Sequence, residues 1–130
     1  EEESHCYICK RMDDTYRRMV DTFVYQVKHE PEFVDMVKAS KGFCVHHFAD
    51  LVEACGEGLS QKEQEQLFPV LFDQMNRELD RMQGDIDWMI EKFDYVNKDK
   101  DWKNSKDAVQ RTMQKIVGGY PADPVFRDKK

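Results

Sequence analysis

Apolar residues return at three- and four-residue steps through Ile8, Met12, Tyr16, Met19, Val20, Phe23, Val24 and Val27, the period of a helix with one buried stripe. A first helix is therefore predicted over 7–29. Pro31 suits a first helical position, where its missing N–H has no bond to lose, so a second helix is expected over 31–40. Gly42 stands where a left-handed C-terminal cap belongs. The helical pattern resumes from Cys44 through Val52 and should end near Gly56 and Gly58. Ser60 with Glu63 has the spacing of a capping box, in which each residue satisfies a backbone donor of the other. The helix it opens repeats Phe72, Leu79, Ile86 and Phe93 every seven residues, and in parallel Phe68, Met75, Met82, Met89 and Val96. These rows predict a heptad seam reaching about residue 96, with a kink or break at Pro69. A polar loop, Asn97 to Lys103, holds Trp102. A last helix, capped by Asn104 or Ser105, should end at Gly118-Gly119. No run alternates with the period of a strand. The fold class expected is all-α, a helical bundle of about five helices with one long heptad-patterned member, over residues 5–118. Residues 119–130, with Pro121 and Pro124, are expected to form an extended tail.

Composition narrows the function classes. The chain has 130 residues and 26 acidic against 20 basic side chains, a formal charge of -6, which disfavours sequence-independent binding to phosphate backbones and anionic lipid. No run approaches the roughly 20 apolar residues of a membrane span. Nucleic acid and membrane are therefore not expected partners, and the expected location is cytoplasmic. Glu1-Glu2-Glu3 is not a signal peptide, and the missing initiator Met suggests a trimmed fragment.

The candidate chemistry lies in Cys6-Tyr7-Ile8-Cys9 and Cys44-Val45-His46-His47, a C-x2-C and a C-x2-H pair. Zinc takes four tetrahedral thiolate or imidazole ligands, and a two-residue spacer aims both donors of a pair at one ion. Helix one carries the chain roughly 30 Å from Cys9, and helix two with the residues around Gly42 can bring it back, so the intervening stretch reads as one helical hairpin. Both pairs are expected near helix N-termini, where the dipole favours anionic sulfur. On a helix the i+3 neighbour of Cys44 faces the same way, which selects His47 over His46. His29 is too far along helix one, Cys55 too far along helix three, and His5 could replace a ligand only at the edge of the set. Four protein ligands leave no open position, so the predicted Cys6, Cys9, Cys44 and His47 zinc site is structural and not catalytic. Core thiols, a disulfide, or a redox-active Cys6/Cys9 pair are the competing readings. The carboxylates Asp85, Asp87, Glu91 and Asp94 lack the spacing of a calcium loop and are read as a solvated helix face. No phosphate loop, nucleophile elbow or catalytic triad is present.

Several stretches carry a resemblance: Cys6-x2-Cys9, Pro31-Glu32-Phe33, Lys41-Gly42-Phe43-Cys44-x2-His47-Phe48, Lys92-Phe93-Asp94-Tyr95, and Trp102-x-Asn104-Ser105-Lys106-Asp107-Ala108. In this order, over about residues 5–118, they resemble a bacterial family known only as a domain of unknown function. That resemblance implies two C-x2-C plus G-F-C-x2-H modules in tandem, with this chain similar to the C-terminal one, and Cys6, Cys9, Cys44 and His47 as the shared cluster. It implies no enzymatic activity. Asp101 and Val96 stand where the family often has proline and arginine. The expected protein is a non-catalytic zinc-binding module that serves a protein partner or scaffold, with possible contact to a missing N-terminal module. The alternative is a thiol-redox or metal-responsive protein using Cys6 and Cys9.

Overall fold

The computed structural model describes residues 6–119. His5 and the tail expected over 120–130 lie outside them. The described residues form five α-helices and no strand: α1 (Tyr7–His29), α2 (Pro31–Ala39), α3 (Val45–Gly58), α4 (Gln61–Glu91) and α5 (Ala108–Val117). None of these helices is long and apolar enough to cross a membrane. The local signals explain most boundaries. Pro31 opens α2 at its first position. Ser60 and Glu63 close the capping box before α4: the Ser60 N–H and hydroxyl both donate to Glu63 Oε2 at 2.8 Å, and the Glu63 N–H faces Ser60 Oγ at 3.4 Å. Those bonds hold the Glu63 carboxyl below its ordinary pKa. Gly42 and Gly118 adopt the left-handed conformation, φ +73° and +79°, that a side chain resists.

The chain divides into two compact units, Glu1–Ser40 with Ala49–Phe72, and Lys41–Phe48 with Asp73–Lys130. In the first, Phe23, Val37, Leu51, Cys55, Leu59, Leu67 and Leu71 are buried. Phe23 meets Phe33 edge-on, ring centres 5.2 Å apart. Tyr16 donates to Asp50 Oδ2 at 2.6 Å, joining α1 to α3. Helices α1 and α3 approach so closely that a Cβ on Gly58 would lie 2.8 Å from Val24 Cγ1. The stripe expected along α1 is covered only in part. Phe23 is buried, but Ile8, Met12 and Met19 are each 66% exposed, because α2 packs against α1 near its C-terminal end, where Phe33 meets Phe23.

Helix α4 continues without interruption past Pro69, where a kink or break was expected, and ends at Glu91, short of residue 96. Of the two predicted heptad rows, Met75 and Met82 are buried, whereas Phe72, Leu79, Phe93 and Val96 are exposed. Beyond Glu91 the backbone turns through a single 3-10 turn at Tyr95–Asn97, opened by Asp94 accepting from the Val96 N–H. Buried Lys92 organises this loop: its Nζ donates to the carbonyls of Asn97 and Lys98 at 2.8 Å and to that of Lys100, and lies 5.2 Å from the Trp102 ring centre. Helix α5 starts at Ala108, later than the expected Asn104 or Ser105 cap. Ser105 is buried instead in a turn, its hydroxyl donating to Trp102 O at 2.7 Å.

Two substitutions separate covered from uncovered positions. Leu71→Ala, at a site with no exposure, should lower the unfolding free energy by about 2–5 kcal/mol, whereas Met12→Ala should change it by no more than about 0.5 kcal/mol. Lys92→Met removes a donor shared by three carbonyls and should cost about 1–3 kcal/mol, the penalty for polar groups left unpartnered. Chemical denaturation of the three variants reads all three values.

Candidate functional site

The two cysteine pairs occupy the same places on two helices. Cys6 immediately precedes α1, its carbonyl accepting the Lys10 N–H at 3.0 Å, and Cys9 is the third helical residue. Cys44 immediately precedes α3, its carbonyl accepting the Phe48 N–H at 2.9 Å, and His47 is again third. The residue before a helix and its third residue are the positions a capping box uses, and at the first pair the two thiols do interact. The chemistry of each pair is thus written in the helix start.

At the first pair the sulfur of Cys6 is exposed. The backbone N–H of Cys9, then that of Ile8, then the Cys9 thiol stabilise its anion, and these hydrogen bonds lower the Cys6 pKa. Cys9 is exposed as well. This pair belongs to the first compact unit.

The second pair, in the other unit, has more structure around it. Cys44 is half-buried, and a Cβ on Gly118 would lie 3.5 Å from its sulfur. It shares a cavity of about 320 Å³ with Gly42, Arg81, Arg111 and Lys115. Lys115 is only 6% exposed and donates to Lys41 O at 2.9 Å. Burial lowers its pKa, opposed by the negative charges of Glu78 and of a Cys44 thiolate. His47 and His46 are exposed.

The remaining candidates sort as follows. Cys55 is buried with no exposure, and desolvation pushes its thiol up to about 11. His29 is exposed, stacks on Tyr25 at 4.2 Å and donates from Nδ1 to Tyr25 O. Asp85 departs from the solvated face expected of it. Its side chain is 19% exposed and its Oδ2 takes Arg111 at 3.0 Å and Arg81 at 3.4 Å. No local signal marks this pair, since Asp85 and Arg111 are 26 residues apart. Among the described residues, no three Cys, His, Asp or Glu side chains stand together as a group able to hold a metal ion.

The model of a family of unknown function (DUF6062) matches residues 1–123, and the chain belongs to that family. Neither a curated protein nor a solved structure matches it.

The environments of Cys6 and Cys55 lead to opposite reactivity. At about pH 8 an alkylating or disulfide reagent should modify Cys6 rapidly and Cys55 only after unfolding, followed by peptide mass spectrometry. The raised Cys55 pKa also stabilises the fold in full below the ordinary thiol value of 9.0, and that contribution is lost as pH rises through about 11. Stability of the wild-type chain should therefore fall across this alkaline window more steeply than that of Cys55→Ala.

Proposed function

We propose that this family member is a non-catalytic zinc-binding helical module, with Cys6, Cys9, Cys44 and His47 as the ligands of one structural ion. The observation that carries the reading is the matched placement of the two pairs, each with a sulfur just before a helix and a second soft donor three residues on. Both are two-donor sets of the type zinc prefers, and two of them complete a tetrahedral shell. Such an ion supplies cross-linking and no reaction, because no coordination position is left for water or substrate. The chain's own contribution is to hold donors at helix starts and to favour anionic sulfur at Cys6.

The partner in this reading is another protein surface. The N-terminal half of α1 presents Tyr7, Ile8, Met12 and Met19, each at least 66% exposed, beside Cys6 and Cys9. The tandem module implied by the resemblance is the first such surface to test. A second reading rests on the accessible Cys6 with its lowered pKa and Cys9 as neighbour: a thiol-redox pair in which Cys6 attacks a partner disulfide and Cys9 resolves the mixed disulfide.

Elemental analysis of protein purified without added metal decides between the readings. One zinc per chain is expected, lost in Cys6→Ser, Cys44→Ser and His47→Ala and kept in Cys55→Ser and His46→Ala. Acid should release the ion, because its thiolate ligands must stay deprotonated. Stoichiometric iron, or no metal together with ready oxidation of Cys6 and Cys9 to a disulfide, overturns the zinc assignment, and the latter result establishes the redox pair.

A further inference from the structure

We infer that the second unit carries a binding site for a small, multiply charged oxyanion, lined by none of the four proposed zinc ligands. A cavity of about 340 Å³ is walled by Lys41, Arg81, Lys103, Lys106 and Arg111, with Asp107 as the single carboxylate. Its volume lies within the range of small-ligand pockets, about 300–1,000 Å³. Five cations converge there in a chain with an excess of acidic residues. Even with Glu78 and Asp85, which lie against the two arginines, positive charge prevails.

The walls are held in place before any ligand arrives. Asp85 Oδ2 anchors both guanidinium groups, Arg81 at 3.4 Å and Arg111 at 3.0 Å. Glu78 takes a second edge of Arg81 at 2.8 Å, and Asp107 takes Arg111 Nε at 2.9 Å. Arg111 also donates to the carbonyl of Asn104. Lys103 sits in the left-handed region at φ +52°, a conformation uncommon for a side-chain-bearing residue, with its Nζ 4.1 Å from the Trp88 ring centre. Trp88 in turn donates from Nε1 to Asp101 O at 3.0 Å. With the Nε of each guanidinium committed to a carboxylate, the second N–H groups of their terminal nitrogens and the ammonium groups of Lys41, Lys103 and Lys106 are what phosphate or carboxylate oxygens would meet. Two stretches singled out in the sequence, the one beginning at Lys41 and the one running from Trp102 to Ala108, supply three of the five cations, Lys41, Lys103 and Lys106, yet neither reads as a phosphate loop. The site is assembled from three separate parts of the chain.

Nuclear magnetic resonance titration of the full chain at low ionic strength tests the site, with inorganic pyrophosphate in one arm and citrate in the other. Saturable shifts confined to amides of residues 41–44, 81–85 and 103–111 are expected in at least one arm. The tighter ligand tells phosphoryl from polycarboxylate chemistry. Lys41→Ala and Lys106→Ala, at exposed positions, should each weaken binding by roughly three- to tenfold, while Lys10→Ala leaves it unchanged. Absence of saturation in both arms overturns the inference. So do shifts spread over basic residues of the whole chain and insensitive to the Lys41 and Lys106 substitutions.

Discussion

A polar group withdrawn from water must take its partner with it, and in the second unit this constraint decides where the backbone runs. Gln74, Glu78 and Lys115 are 1%, 7% and 6% exposed. Lys115 resolves its burial by donating to the carbonyl of Lys41, and Glu78 by accepting from Arg81. Gln74 Oε1 lies against the next residue, Gly42, where a Cβ would come within 3.0 Å. A backbone segment held between a buried amide and a buried ammonium group has no room for a side chain there. Its positive φ removes the remaining alternatives to glycine. Cys44 follows two residues later, so the start of the second soft pair is tied to a segment that Gln74 and Lys115 hold.

The same constraint explains why the long helix does not bury its most regular apolar rows. At about 100° per residue, Leu67, Leu71, Gln74, Met75, Glu78 and Met82 share an arc roughly 100° wide, the width of a core-facing stripe. Phe72 and Leu79 fall just past one edge of that arc and are exposed. A hydrophobicity count turns the stripe toward the phenylalanines because it gives Gln74 and Glu78 to solvent. Their partners bring them inward: Arg81, one turn along the same helix, for Glu78, and for Gln74 the Gly42 segment that its side chain lies against.

What was legible in the sequence follows from the same distinction. Pro31, the Ser60 and Glu63 box, and the left-handed Gly118 act through backbone geometry within a turn or two, and each stands where its local chemistry places it, whereas Gly42 is left-handed as expected but Ser40, not Gly42, caps α2. The all-helical class followed from period alone. Burial of Ile8 and Met12 was expected from the same period, yet an amphipathic face reports only that something could cover it. The start of α5 was misplaced because Ser105 hydrogen-bonds backward to Trp102, a competition between turn and cap that short polar side chains permit. Asp85 was beyond reach, since its ion pair with Arg111 depends on how α4 and α5 meet. The basic cavity was hidden for the same reason and also by the acidic net charge, which averages over the surface that the cavity departs from.

The four cysteines divide by the electrostatics of their sulfur atoms. Cys55 stands on α3 with no access to water, and burial without a cation raises its pKa to about 11. Cys6 stands before α1 in the open, and two backbone N–H groups lower its pKa. Identical thiols are thus driven in opposite directions, one by desolvation and one by hydrogen bonding to the anion. Metal binding and disulfide exchange both begin from thiolate, so either chemistry must start at a residue placed like Cys6 and not like Cys55. Cys44 shares the helix-start position, but its sulfur has Lys115 within its electrostatic reach and a wall of arginines across its cavity.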